Sequence, residues 1–133
     1  MRRRDWLPRL LEYVESVRAS PYHPVTHNCA LFVAGAIRAM RDDDPVKQLG
    51  VELRSVGDID ATLERYGGVR GVCDTYLGPA RAPLLASRGD VVVKKGLGGD
   101  TLGLCMGPHA LFLSEDGLQA RDLAECENCW RVE

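Results

Sequence analysis

The step Thr26-His27-Asn28-Cys29 sets a thiol directly after an Asx residue at the head of an apolar run. Asn is a favoured N-cap, so the pattern predicts a helix that opens at Cys29. The first turn of a helix has free N–H groups and the positive end of the peptide dipoles, and both favour a thiolate over a thiol. The thiolate is the nucleophilic form. Nucleophilic cysteine chemistry also needs a base, most often an imidazole, and a polar group to orient it. The chain has three histidines, His23, His27 and His109. His27, two residues before Cys29, and His109, just after Gly107-Pro108, are the candidate bases. Each also has a plainer reading, His27 as a capping or packing residue and His109 as a loop residue. Cys29 has one too, as a small buried apolar side chain. His23, between Pro21 and Pro24, has no assigned role.

A second pattern is Cys126-Glu-Asn-Cys129, with the spacing of metal ligands and of redox pairs. A zinc or iron–sulfur site normally takes four ligands, and there is no second Cys-x-x-Cys pair to complete one. Cys73 and Cys105 are the completing candidates, but both lie in apolar stretches and read as core. The redox reading is weaker, because the pair lies near the C-terminus rather than opening a helix in a βαβ unit. No metal and no cofactor is therefore expected, with Cys126 and Cys129 the residues that would hold one. Five cysteines is an odd number. The basic start Met1-Arg-Arg-Arg-Asp-Trp6 lacks the apolar stretch of a secretory signal. Together these favour free thiols over a disulfide framework.

The elements that must position these residues are legible as well. At 133 residues, 45% hydrophobic and 27% charged, the chain reads as one domain over 1–133. A net charge of -2 gives no bulk electrostatic case for a nucleic-acid partner. No apolar run reaches the roughly 18 residues of a membrane span. Asp5 is placed to cap a first helix whose stripe is Trp6, Leu10, Val14 and Val17. The helix from Cys29 to about Met40 is apolar nearly all round and so reads as central and buried. Asp42, Asp43, Asp44 and Pro45 form a polar stop. Ser55 and Asp58 resemble a capping pair for a helix over Val56–Tyr66, stopped at Gly67-Gly68. A short helix is expected over Val69–Tyr76. Beyond Gly89-Asp90 the pattern turns to strands, expected at Val91–Val93, Thr101–Met106, Ala110–Leu113, Leu118–Leu123 and Trp130–Val132, the last at an edge. Helices first and strands second predict an α+β fold, N-terminal helices followed by a small antiparallel sheet. The Arg2–Arg4 cluster reads as a solvated end.

The order of a Cys-headed central helix and then a small sheet resembles the NlpC-type branch of the papain-like cysteine peptidases. There the Cys follows an Asp, and the base His opens a strand of the form His-apolar-Gly-apolar-apolar-apolar-Gly, after a Gly-Asp-apolar strand. Gly89-Asp90-Val91-Val92-Val93 matches the earlier strand. Thr101-Leu102-Gly103-Leu104-Cys105-Met106-Gly107 matches the later one except at its first position, where Thr101 stands in place of the catalytic His. Asn28 replaces the Asp. The chain also resembles, over nearly its whole length, small proteins of phage tail-tip gene clusters. They share an Asp-Trp helix, a Pro-then-His-Asx-Cys step (Pro24, His27, Asn28, Cys29), a Gly-Gly pair before a helix ending Leu-Gly-Pro (Gly67-Gly68, Leu77-Gly78-Pro79), and an ending near Ala-Trp-Arg-Val, here Cys129-Trp130-Arg131-Val132.

The resemblance implies an NlpC/papain-like fold and a structural or assembly role in the tail tip of a phage or phage-like particle. The chain would be located in the virion, with other tail-tip proteins as partners. Thr has no group that titrates near neutral pH, so Thr101 marks a degenerate base position and a pseudoenzyme. The alternative is an active cysteine peptidase or amidase acting on peptidoglycan peptides or a tail protein, with Cys29 as nucleophile and His109 or His27 as base. For the adaptor, the contact regions expected are Arg2–Arg4 and the acidic residues Glu115, Asp116, Asp122, Glu125, Glu127 and Glu133.

Overall fold

In the computed structural model, which describes residues 1–133, five helices precede a five-stranded sheet. The helices are α1 (Trp6–Val17), α2 (Cys29–Arg41), α3 (Pro45–Leu49), α4 (Val56–Tyr66) and α5 (Gly68–Leu77). The strands are β1 (Val91–Gly96), β2 (Gly99–Cys105), β3 (His109–Ser114), β4 (Gly117–Asp122) and β5 (Asn128–Trp130), in the order β4-β3-β2-β1-β5. Every neighbouring pair is antiparallel, so the fold is α+β with the helices ahead of the sheet.

The caps account for most helix starts. Asn28 Oδ1 accepts the Leu31 N–H at 2.9 Å, and Ser55 Oγ accepts the Asp58 N–H at 3.1 Å. Asp5 holds the cap position of α1, but its side chain makes no cap bond and instead pairs with Arg3 at 3.0 Å. The aspartate run stops α2, with Asp42 in the left-handed region at φ 64°, and then opens a helix the sequence reading did not foresee. Asp44 accepts the Val46 N–H at 3.1 Å, and Pro45 fills the first position of α3, where no N–H is needed. The Gly67-Gly68 pair ends α4 and leads straight into α5.

Side chains alternate across the sheet. Val91, Val93, Leu102, Leu104 and Trp130 pack against α1 and α2 through Leu10, Phe32, Ile37 and Met40. On the opposite face Val92, Ala110, Phe112 and Leu123 gather with Cys105, Cys126 and Cys129. Gly103 leaves room there for Phe112: a Cβ at Gly103 would lie 2.5 Å from the ring. α4 is an exception among the longer helices, because it buries no residue.

The Arg2–Arg4 cluster is not simply a solvated end. Arg2 donates to the buried Asp90 carboxylate at 3.1 Å, to Val132 O at 2.7 Å and to Arg88 O at 2.9 Å, and its guanidinium lies over the Trp6 ring. Asp90 also accepts the Val132 and Ser87 N–H groups, at 3.0 and 2.9 Å. The residues before α1 are thus fastened to the chain after β5. Arg3 pairs with Asp5 and Asp42. Much of the acidic segment is also engaged internally: Asp122 and Glu125 cap a 3-10 turn over Leu123–Glu125, and Glu127 pairs with Arg70.

Candidate functional site

α2 begins beside the first half of β2, and its opening residue, Cys29, lies on the wall of a cavity of about 590 Å³. The helix places the thiol by the capping step described above. Asn28 is held in turn by its amide, which donates to Pro24 O at 3.1 Å. Cys29 is partly exposed, whereas the other four cysteines are buried. Burial pushes its thiol up from the ordinary value, and the N–H groups of Leu102, Ala30 and Cys29 itself oppose that rise without reversing it. Loss of solvation therefore outweighs the helix terminus, and the thiol holds its proton at neutral pH.

The residue beside that sulfur on β2 is Leu102. Alternation puts its side chain on the helix face with Leu104, whereas Thr101 shares the other face with Gly103 and Cys105. Thr101 pairs with Lys94 on β1, and a Cβ at Gly96, diagonal to it, would lie 2.6 Å from Thr101 Oγ1. Thr101 also lines the cavity, but the β2 group in reach of the thiol is the Leu102 N–H, and Cys29 packs against the cluster that holds the Leu102 side chain. Neither residue can serve as a base.

No histidine lines the cavity. His23 and His27 form a small antiparallel bridge, with N–H to O distances of 2.8 and 3.1 Å. The His23 ring organises the turn between them, its Nδ1 accepting the Val25 and Thr26 N–H groups at 3.2 and 3.1 Å. The His27 Nε2 is buried without a partner, and burial lowers the imidazole pKa below its ordinary value. His109 opens β3, as the resemblance had a His open a strand, but at the far end of β2: its carbonyl accepts the Met106 N–H at 2.8 Å. Met106 is four residues beyond Leu102, roughly 13 Å along the strand. His109 is exposed there and not across a cleft from Cys29.

Charge around the cavity is sparse. Asp100 is tied to Lys95 at 2.9 Å and to Arg70 at 3.0 Å, and these partners hold its carboxyl below the usual range. Arg70 continues to Asn128 Oδ1 at 2.8 Å and to Glu127, which fastens α5 to β5 and to the β1–β2 hairpin. Cys73 lies deeper on the wall, its thiol pushed up to about 12 by burial, with the neighbouring Asp74 carboxylate adding to the rise.

The remaining cysteines sit on the opposite face of the sheet. Cys105 Sγ donates to Gly107 O at 3.3 Å and Cys129 Sγ to Ala82 O at 3.2 Å. Burial raises all three thiols, Cys126 to about 11. A metal would need thiolates, and no group of three or more His, Cys, Asp or Glu residues is arranged to hold one.

The chain belongs to the family described as a domain of unknown function, DUF6950, which matches residues 1–132. No curated protein matches the sequence. The structure has no helix long and apolar enough to cross a membrane.

Proposed function

We propose that the chain is a non-catalytic structural or assembly component of the tail tip of a phage or phage-like particle, built on an NlpC-type scaffold. The particle location and the tail-tip partners come from the ordered motifs that run from the Asp-Trp helix to Trp130-Arg131-Val132. The single observation behind the non-catalytic part is the surroundings of Cys29. Its thiol is driven toward the neutral form, it lies beside Leu102, and no imidazole shares its cavity. A cysteine hydrolase needs a base within hydrogen-bond reach of the sulfur, in line with the scissile group. Fold alone does not confer the reaction.

The test compares two changes in the particle that carries this gene. Deleting the gene should stop tail completion, seen by electron microscopy. Cys29→Ala should leave particle number and infectivity unchanged. Purified protein should release no peptide from peptidoglycan. Intact particles that lose infectivity on Cys29→Ala alone, together with release of stem peptides by the wild-type protein, would establish the active peptidase or amidase instead.

A further inference from the structure

The cavity behind Cys29 is large for a chain of this size, and it is not filled. Interiors are normally packed at crystal-like density, and a volume of about 590 Å³ lies in the range of ligand pockets. Its walls come from Val33 and Ile37 of α2, Ile59 and Leu63 of α4, and Val69 of α5, with Cys29 at one side. α4 is amphipathic, yet none of its residues is buried. Its apolar stripe therefore faces a space that the chain itself does not occupy.

Two observations narrow the occupant. No Lys, Arg or His lines the cavity, and of its two carboxylates Asp100 is already paired while Asp60 is exposed and makes no ion pair. A ligand that brings a carboxylate, as an acidic stem peptide or a fatty acid does, would find no counter-charge. Apolar surface also continues outside. Tyr22 and Val56 line the cavity while half exposed, and Leu97 stands wholly in solvent beside Gly98 of the wall. A small ligand held inside would leave this rim wet, whereas a polypeptide that inserts a side chain also covers it. An anchor side chain in a pocket surrounded by a water-excluding rim is the usual form of a binding hot spot.

We infer that this cavity is the docking site for a neutral or basic polypeptide segment of a partner, which inserts one large apolar side chain between α2, α4 and α5. The inference deepens the adaptor reading and rests on it only in treating Cys29 as a wall residue. The probes are N-acetyl-tryptophanamide, its carboxylate counterpart N-acetyl-tryptophan, and n-octanol, titrated into the full chain. Methyl resonances of Ile59 and Leu63 report occupancy, and the rate of N-ethylmaleimide labelling reports shielding of Cys29. The amide should give saturable shifts at both methyls and slow Cys29 labelling. The carboxylate should bind about tenfold more weakly, a difference of about 1.4 kcal/mol. Leu63→Trp, which puts an indole of the chain's own into the space, should abolish the shifts at Ile59, and its dichroism shows whether it folds. Shifts from octanol with none from the amide would overturn the proposal in favour of a lipid-type site. Equal binding of amide and carboxylate would overturn the charge argument. Recovery of N-acetyltryptophan from the amide would mean hydrolysis, and so failure of the non-catalytic reading and not of the cavity assignment.

Discussion

Cys29 on the helix face of the sheet and the three cysteines behind it stand in opposite circumstances. Behind the sheet, Cys105, Cys126 and Cys129 are packed among Val92, Ala110, Phe112 and Leu123, and two of the three sulfurs donate to carbonyls. On the helix face, Cys29 opens α2 at the wall of an unfilled cavity, under a helix with no buried residue. Thiol spacing pointed to both places. Only the second leaves room for another molecule, and even there desolvation and the aliphatic Leu102 withhold what a nucleophile needs. The lesson is that a thiol at a helix N-terminus is activated only if its solvation or a neighbouring charge sustains the anion.

Substitutions can break this contrast, and the largest effects belong to the packed regions. Asp90→Ala removes the buried acceptor of Arg2 and of two backbone N–H groups, leaving a largely buried guanidinium without its counter-charge. A loss of about 3–5 kcal/mol is expected in urea denaturation. Phe112→Ala should cost a similar ~3–5 kcal/mol, because the ring is closely surrounded. Leu63→Ala, on the cavity wall, should cost about 1 kcal/mol or less, since little packs opposite it. Equal costs for Phe112→Ala and Leu63→Ala would mean that the cavity is closed in solution and that the comparison is wrong.

Gly103→Ala sets a methyl against the Phe112 ring and should cost about 1–3 kcal/mol. Alkylation of the native protein should modify Cys29 first, with the other four cysteines reacting only on unfolding, as read by peptide mass mapping. Early modification of Cys126 or Cys129 would show that the rear cluster opens. The smallest effect concerns His27. Burial lowers its folded-state pKa, so the unfolded chain takes up the proton first as pH falls. The associated stability is present above about pH 6.5 and is lost as pH drops through the lower, folded-state value. His27→Gln should remove part of the decline in stability between pH 7 and 5.

Much of the fold was legible because the local signals agree with the global arrangement. Asn28, Ser55 and the glycines at 67 and 68 mark helix ends through specific backbone bonds or positive φ, and alternation at Val91–Val93 marks a strand between two packed layers. α3 is hidden in the sequence because Asp44-Pro45 carries two opposite signals, a stop for the helix before it and a start for the helix after it. The site was legible only in part. The position of Cys29 follows from its cap, but strand register decides whether Thr101 or Leu102 faces it, and one residue of register exchanges the faces. The fastening of Arg2 to Asp90 joins residues 88 apart in sequence, and charge counting at the N-terminus has no access to it.

The central claim is that Cys29 does not work as a thiolate. Its most direct test is the rate of Cys29 alkylation by iodoacetamide as a function of pH, with the modified residue confirmed by mass mapping. The account predicts a single ionisation above the ordinary cysteine value of about 8.5 and the same profile in His27→Gln and His109→Gln. A thiolate titrating well below that value, whose reactivity either histidine substitution removes, would contradict it.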